Sequence, residues 1–158
     1  MTTRITGGSQ RGRRLHSAKG AGLRPTSERV RAAIFSMIGR SAVEGVRVLD
    51  LYAGTGALGI EALSRGASWA DFVEAHPRRC REIRESLAEI GFAGRARVVR
   101  ARVEKALDSM EGVYGLVLVD PPYDSDPWET LMLQLQSRQL IDEGALVVAE
   151  HHYKSELA

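Results

Sequence analysis

The sequence is poor in cysteine and has no long apolar run, and both absences limit what the protein can be. Cys80 is the one cysteine among 158 residues, so no disulfide can form within the chain. A single cysteine suits a reducing compartment. No stretch approaches the ~18 consecutive apolar residues of a membrane-spanning helix, and the polar, basic N-terminus lacks the apolar region of a secretory signal. We therefore expect a cytoplasmic protein that does not cross a membrane.

Metal-binding patterns and repeats are also missing. The four histidines do not stand at metal-ligand spacing with Cys80, so no metal site is predicted. The chain has no internal repeat and no low-complexity segment. Its length suits one compact domain with a core of its own, and a monomer is the default expectation.

Positive charge is concentrated at the start of the chain. Residues 1–40 hold nine Lys and Arg against one acidic residue, a net charge of +8, whereas the remainder has a net charge of −6. A basic arm, residues 1–25, on a mildly acidic body is typical of proteins that bind phosphates. Arg11, Arg13 and Arg14 are the predicted contacts to a nucleic acid backbone. The alternative is that the arm only aids solubility.

Helical and strand patterns alternate after residue 25. A helix is predicted over residues 25–39, capped by Thr26 or Ser27, with an apolar stripe of Val30, Ile34, Met37 and Ile38. Strands are then predicted at Val46–Asp50, Trp69–Glu74, Arg95–Arg100, Val113–Val119 and Ala145–Glu150. Helices are predicted between them at Ala57–Arg65, Pro77–Ile90, Val103–Met110 and Pro127–Gln139. The alternation predicts an α/β fold with a doubly wound, mostly parallel sheet.

Three of the predicted strands end on, or just before, a carboxylate. These residues are Asp50, Glu74 and Asp120. Ligands of open parallel sheets bind beyond the carboxyl ends of the strands, near the point where the strand order reverses. The sequence therefore predicts a ligand site at this edge, with three acidic side chains on it.

A glycine-rich turn, "YAGTGALG", follows the first of these carboxylates and fits the pattern G-x-G-x-x-G. In a dinucleotide site such a turn holds a pyrophosphate, which Asp50, four residues before Gly54, would repel. The same carboxylate suits the sulfonium and ammonium groups of S-adenosylmethionine. Glu74 suits a contact to ribose hydroxyls, which both cofactors have. The alternative is that Gly54, Gly56 and Gly59 only form a tight strand-to-helix turn.

The most specific stretch is "VLVDPPYDS", in which a buried strand runs into Asp-Pro-Pro-Tyr. Prolines stiffen the loop and have no N–H, so carbonyl groups there can accept from a ligand. Asp120 and the Pro121 carbonyl could accept the two hydrogens of an exocyclic amine and free its lone pair for attack on a methyl group. Pro122 stiffens the loop, and Tyr123 could stack on a base taken out of its helix.

Three motifs together, "GLRPTSERVRAAIF", "DLYAGTGALGIEALSRGA" and D-P-P-Y, resemble the bacterial 16S rRNA guanine-N2 methyltransferases, from about Arg4 to Glu150. The resemblance implies a class I, Rossmann-like methyltransferase domain over residues 26–158 and S-adenosylmethionine as cofactor. It implies ribosomal RNA, or a small-subunit assembly intermediate, as substrate. The implied cofactor positions are Asp50, Tyr52, Gly54, Thr55, Gly56 and Glu74. The implied catalytic loop runs from Asp120 to Tyr123, and Arg24, Thr26 and Arg29 match an N-terminal motif near the cofactor carboxylate or the RNA.

The sequence departs from the family pattern in two places. An Asp or Asn that often follows the third strand is replaced by Arg102, which cannot accept a hydrogen bond. Adenine recognition is then expected from backbone groups of Arg102 and Val103. The family sheet has seven strands, whereas this sequence stops after the fifth predicted one, at "EHHYKSELA". The resemblance therefore implies that the last two strands are missing, which would leave a sheet edge exposed.

Other functions stay open at this stage. An adenine-N6 methyltransferase on DNA or RNA fits the same loop, because D-P-P-Y accepts either amine. A non-catalytic RNA-binding assembly factor on the same scaffold fits the basic arm and the Arg102 departure. A nicotinamide-dependent oxidoreductase is disfavoured by Asp50 and by the absence of a set of proton-relay residues.

Overall fold

The computed structural model describes residues 3–15, 27–122 and 126–150. Its centre is a five-stranded sheet of β3 (Arg47–Leu51), β4 (Trp69–Glu74), β5 (Ala96–Arg100), β6 (Tyr114–Val119) and β7 (Ile141–Ala149). The strand order is β5-β4-β3-β6-β7, and every neighbouring pair is parallel. The predicted doubly wound α/β fold is confirmed.

Among the described residues, four α-helices connect these strands and a fifth precedes β3, and their ends follow local sequence signals. They are α1 (Glu28–Ile38), α2 (Ala57–Ser64), α3 (Pro77–Ile90), α4 (Val103–Ser109) and α5 (Trp128–Ser137). The Ser27 hydroxyl accepts from the Val30 N–H and caps α1. Pro77 begins α3, and Gly91 ends it in the left-handed conformation that favours glycine. In the part of the chain that the structure describes, no helix is long and apolar enough to cross a membrane.

The sheet separates two apolar cores because successive side chains of a strand point to opposite faces. Val48, Phe72 and Leu118 face α2 and α3 in the first core. Leu49, Val73 and Val119 face α4 and α5 in the second. Both faces of the central strands are therefore buried, which explains the nearly continuous apolar run of β6.

The predicted apolar stripe of α1 is confirmed at Ile34 and Ile38, which are partly buried and pack against the first core. It is wrong at Val30 and Met37, which are 42% and 80% exposed, whereas Phe35 is buried. Arg31 is fully buried on the same face, in place of an apolar residue. A count of apolar residues alone could not assign a charged side chain to the buried face.

The buried Arg31 forms a salt bridge with Glu61 of α2, at 3.0 Å from Nε to Oε1. One turn further along both helices, the Arg65 guanidinium lies 5.2 Å from the centre of the Phe35 ring. These two contacts pair residues 31 and 35 with 61 and 65, so α1 and α2 run in the same direction. The first turns of both helices therefore lie toward the carboxyl ends of the strands.

Two short strands, β1 (Thr3–Arg4) and β2 (Arg14–Leu15), form an antiparallel ribbon that packs on α2. Ile5 and Leu15 are each 2% exposed and belong to the first core. The N–H groups of Thr6 and Gly7 donate to the Glu61 carboxylate, at 2.9 Å each. Residues 3–15 of the predicted basic arm therefore fold against the sheet-and-helix body.

The last strand is longer than predicted. It starts at Ile141 rather than Ala145, and its pairing with β6 shifts register between Tyr114 and Leu116. The stretch Asp142–Gly144 has the composition of a turn, and the Asp142 carboxylate does accept from the Gly144 N–H at 3.0 Å. These turn-forming residues therefore lie within β7, at the point where its pairing with β6 is irregular.

Candidate functional site

The strand order reverses between β3 and β6, and this point lies at the carboxyl edge of the sheet. From β3 the chain moves outward to β4 and β5, then returns to place β6 on the other side of β3. The Asp120 N–H, just after β6, lies 3.5 Å from the Leu51 carbonyl at the end of β3. Asp50 and Asp120 therefore meet at the crevice where ligands of this fold class bind.

Asp50 is a buried carboxylate with carboxylate neighbours. It is 2% exposed, and its Oδ2 accepts from the Gly59 N–H at 3.0 Å. Burial raises the pKa of Asp50 well above its usual range, and the negative charges of Asp120 and Glu74 raise it further, against the lowering effect of the Gly59 N–H. The charged form of Asp50 is therefore unfavourable on its own, and a cation nearby would stabilise it.

Glu74, at the end of β4, joins the glycine turn to its own strand. Its Oε1 accepts from the Gly54 N–H and its Oε2 from the His76 N–H, both at 2.8 Å. A carboxylate has about four lone-pair sites, so each oxygen keeps capacity for a ligand hydroxyl. The predicted contact to ribose is compatible with this geometry and stays a prediction.

The glycine turn needs unusual backbone angles, including one at a residue that is not glycine. Gly54 and Gly56 have φ values of 60° and 79°, and Tyr52 has 57°. A bulky residue with positive φ is uncommon and indicates a backbone held in place by its surroundings. Burial, with Glu104 nearby, raises the pKa of the Tyr52 hydroxyl. Thr55 is buried, and its hydroxyl accepts from the Ala57 N–H at 3.3 Å, at the start of α2.

The third glycine has a packing role. A Cβ on Gly59 would lie 2.3 Å from Cε2 of Phe72 and 2.9 Å from Oδ2 of Asp50. Only a glycine lets α2 approach β3 and β4 this closely. The close approach also brings the Gly59 N–H to the Asp50 carboxylate, which fixes that side chain beneath the turn.

The residues of this edge fit a positively charged ligand better than a diphosphate. Glu74 and Asp50 accept from the N–H groups of Gly54 and Gly59, and the charges of Asp120 and Glu74 already oppose ionisation of Asp50. A diphosphate would add to that repulsion, whereas a sulfonium or ammonium group would relieve it. The site therefore suits S-adenosylmethionine, and this fit argues against a nicotinamide dinucleotide.

The loop after β6 is described up to its second proline. Asp120 is half-buried, Pro121 is buried and Pro122 is exposed. Tyr123 lies outside the described residues. Asp120 and Pro121 thus stand together at the crevice opposite the glycine turn, as the predicted amine-binding arrangement needs, and their catalytic roles stay predictions.

Arg102 and Val103 lie where β5 leads into α4. Arg102 precedes the helix with an extended backbone and makes no capping hydrogen bond through its side chain. The Ala101 N–H donates to the Glu74 carbonyl at 3.1 Å, so this junction is next to the glycine turn. Val103 is buried in the second core. Backbone recognition of adenine at this position stays a prediction.

The predicted RNA contacts are distributed over two edges of the domain. Arg29 is exposed on the first turn of α1, toward the carboxyl edge. Arg11, Arg13 and Arg14 are exposed on the ribbon, and Arg13 donates to the Glu89 carbonyl at 2.8 Å, near the end of α3 at the opposite edge. Arg24 and Thr26 lie outside the described residues.

Sequence reasoning missed the role of Arg31. This residue was counted among the basic residues of the first 40, but it is buried and bound to Glu61 and to the Thr3 hydroxyl. The available signal was its position, four residues before Phe35 and three before Ile34, on the buried face of α1. Its contacts hold the ribbon and α1 against α2.

A groove of about 580 Å³ lies at the other end of α2. The turn of the ribbon and the C-terminal ends of α1 and α2 line it, together with Arg40, Arg65 and Arg95. It contains none of the predicted site residues. Because it is at the amino ends of the parallel strands, it is not at the crevice where this fold binds cofactors. Among the described residues, no group of three His, Cys, Asp or Glu could hold a metal ion.

Comparison with known proteins identifies the family of this chain. The family model described as "Conserved hypothetical protein 95" matches residues 3–158. The chain is 35% identical to ribosomal RNA small subunit methyltransferase D of Escherichia coli K12, over 98% of this chain and 77% of the relative.

Two solved structures share the fold. The Escherichia coli protein yhhF superposes with a TM-score of 0.85 and 33% identity, covering 100% of this chain and 86% of the other. A hypothetical protein of Thermus thermophilus superposes with a TM-score of 0.83 and 33% identity, covering 98% of this chain and 89% of the other. The chain belongs to the family described as conserved hypothetical protein 95, which is the family of ribosomal RNA small subunit methyltransferase D.

Proposed function

We propose that this protein transfers a methyl group from S-adenosylmethionine to the exocyclic N2 of a guanine in small-subunit ribosomal RNA, in the cytoplasm. The observation that carries the proposal is the arrangement at the strand reversal. The acid-flanked glycine turn follows β3 and the Asp120-Pro121 corner follows β6, and these neighbouring parallel strands end at the same edge of the sheet. The family relationship supplies the ribosomal RNA substrate class.

Asp50 and Glu74 are proposed to bind the cofactor, and they act through charge and shape. The ionised Asp50 carboxylate, held by the Gly59 N–H, offers negative potential under the turn. Glu74 holds the Gly54 N–H and would accept ribose hydroxyls on its remaining lone pairs. When bound, the cofactor supplies an electrophilic methyl group on a positively charged sulfur.

Asp120 and Pro121 are proposed to position the amine. The Asp120 carboxylate accepts one N–H of the guanine amino group, and the Pro121 carbonyl accepts the other. These two hydrogen bonds would orient the nitrogen lone pair toward the glycine turn, where Asp50 and Glu74 would hold the cofactor. The cofactor would supply the methyl group for the new N–C bond, and its sulfur would keep the electron pair of the S–C bond. The extra proton on nitrogen leaves through Asp120 or water.

The base must leave its helix or loop to reach this corner, as other enzymes that modify bases require. Tyr123 is proposed to stack on the everted base. The basic residues of the ribbon and of α1, with Arg24 and Thr26, are proposed to contact the RNA or the cofactor carboxylate. The Asp120-Pro121 pair would also accept an adenine amine, so the experiment must report which base is methylated.

The test is methylation of small-subunit ribosomal RNA from cells that lack this protein. Wild-type protein should restore N2-methylguanine, measured by mass spectrometry of nucleosides. Asp120→Ala should abolish turnover while binding of the cofactor is retained. Asp142→Ala, an exposed aspartate of β7, is the matched control and should behave as wild type. Methylation of adenine instead of guanine, or full turnover by Asp120→Ala, would refute the proposal.

A further inference from the structure

The net negative charge of residues 41–158 hides a second basic region. Residues 77–105, which form α3, β5 and the start of α4, contain nine basic and four acidic residues, a net charge of +5. The rest of residues 41–158 has a net charge of −11. The comparison of net charge between residues 1–40 and 41–158 therefore did not reveal this basic segment of the second part.

The exposed arginines of this region gather along the outer strand of the sheet. Arg81 and Arg84 stand three residues apart on α3, on neighbouring positions of the helix surface. The Arg84 guanidinium donates to the Val98 carbonyl of β5 at 3.3 Å, so the side chain reaches over the strand. Arg100 is exposed at the end of β5, and Arg102 follows it. We call Arg81, Arg84, Arg100 and Arg102 the basic flank.

The geometry of β5 places two members of the flank on one face of the sheet. The Arg84 guanidinium reaches the Val98 carbonyl, and Arg100, two residues further along the strand, points to the same face as Val98. Burial raises the pKa of the Cys80 thiol on α3, and the charges of Arg84 and Arg100 act against that rise. Two acidic residues of α3 lie near these arginines in sequence. Glu82 pairs with Arg78, at 3.5 Å, and not with a member of the flank. Glu85 is exposed, one helical turn after Arg81.

The basic flank begins beside the proposed cofactor site. Arg100 is in register with Glu74, and the next residue, Ala101, donates its N–H to the Glu74 carbonyl. From β6, where Asp120 stands, to β5 there are three strand spacings. At about 4.8 Å each they amount to about 14 Å. The flank is therefore about 14 Å along the sheet from the strand that leads to Asp120, a distance that nucleotides neighbouring an everted base can span.

We propose that the basic flank is a phosphate-binding surface that holds the RNA backbone on the cofactor side of the crevice. This inference rests on the proposed function, because it assumes that the substrate is RNA. A run of exposed guanidinium groups matches the backbone in charge, and arginine binds phosphate in a bidentate manner. The competing explanation is that charged residues on β5 only prevent edge-to-edge pairing of sheets.

The test compares salt dependence of RNA binding for the full chain. The probe is a small-subunit ribosomal RNA fragment, and its binding constant is measured at KCl concentrations from about 50 to 300 mM. Phosphate contacts make the affinity strongly dependent on salt in this range. Arg84→Gln/Arg100→Gln should reduce the slope of log Kobs against log salt by about 1.4–1.8, because two phosphate contacts are lost. The KM for RNA should rise about tenfold or less, with kcat unchanged.

Two further variants separate charge from structure. Arg84→Lys/Arg100→Lys keeps both charges and should retain most of the wild-type slope. Arg40→Gln/Arg138→Gln removes two arginines outside the flank that are 84% and 49% exposed, and should leave the slope unchanged. The Arg84→Gln/Arg100→Gln variant could instead aggregate while its soluble fraction keeps the wild-type slope. That result would mean that the flank protects the sheet edge, and it would overturn the inference.

Failure of the inference is distinguishable from failure of the proposed function. If wild-type protein methylates guanine N2 and the Arg84→Gln/Arg100→Gln variant keeps the wild-type slope, the role of the flank in RNA binding is refuted and the proposed function holds. If the Arg84→Gln/Arg100→Gln variant has a lower slope than wild type but wild-type protein methylates no guanine, the flank binds RNA and the proposed function is refuted. Binding of wild-type protein without salt dependence would overturn the inference alone, because the methylation assay decides the proposed function.

Discussion

Removal of the Glu61 carboxylate should destabilise the protein more than removal of any exposed charge. Glu61 is fully buried and accepts from the side chains of Arg31 and Arg65, at 3.0 and 2.8 Å, and from the N–H groups of Thr6 and Gly7. Loss of one partner from a buried ion pair costs about 3–5 kcal/mol. A domain of this size loses about 2–4 °C of Tm per kcal/mol, so Glu61→Ala should lower the Tm by about 6–20 °C.

The matched control is Glu44→Ala. Glu44 pairs with Arg40 at 3.1 Å, also four residues away on a helical turn, but the two side chains are 54% and 84% exposed. Exposed pairs contribute about 0–1 kcal/mol, so this variant should stay within about 4 °C of wild type. Arg31→Met/Glu61→Leu, which removes both buried charges, should be more stable than Glu61→Ala.

The pH dependence gives an independent check. Burial raises the pKa of Glu61, but the Thr6 N–H and the side chains of Arg65 and Arg31 outweigh it, so the pKa is lower than usual in the folded protein. The stabilisation is therefore present above the unfolded pKa, near 4.3, and is lost as the pH falls through the folded value. Thermal melts should show the gap between wild type and Glu61→Gln narrowing below about pH 4. A Glu61→Ala variant as stable as Glu44→Ala would refute the reasoning.

Two further predictions concern the cofactor edge. Gly59→Ala should destabilise the protein by about 1–3 kcal/mol despite its better helix propensity, because the new Cβ would lie 2.3 Å from Phe72. A melt at or above the wild-type Tm would contradict the packing role. The affinity for S-adenosylmethionine should increase as the pH rises through the raised pKa of Asp50, since the ionised carboxylate binds the cation. Calorimetry should show that Asp50→Asn flattens this profile, and an equal pH slope in the variant would exclude Asp50 as the cause.

Local sequence signals predicted most of the elements because those signals act over a few residues. Pro77 and Gly91 bound α3 as predicted, and β4 has the predicted ends, Trp69 and Glu74. Apolar runs between them identified strands buried on both faces. The prediction of β7 was short because Asp142–Gly144 resembles a turn, while pairing with β6 extends the strand through it.

The candidate site was predicted in part. Asp50, Glu74 and Asp120 were placed at one edge from the rule that ligands of parallel sheets bind there, and the structure brings them close enough for their charges to interact. Contacts between distant residues were not predictable. The Glu74 bond to Gly54, the positive φ of Tyr52 and the fit of Gly59 against Phe72 depend on how α2 packs on the sheet.

The amino-acid sequence by itself determined the kind of fold and the edge at which its chemistry lies. Periodicity, helix caps and strand-ending carboxylates are local, and the right-handed crossover of parallel strands leaves few ways to combine them. Only the tertiary structure decided what each charge does. Arg31 became part of the core because Glu61 faces it, whereas Arg84 and Arg100 stayed on the surface. A side chain's partners come from other parts of the chain, so its solvation and charge state are set by packing.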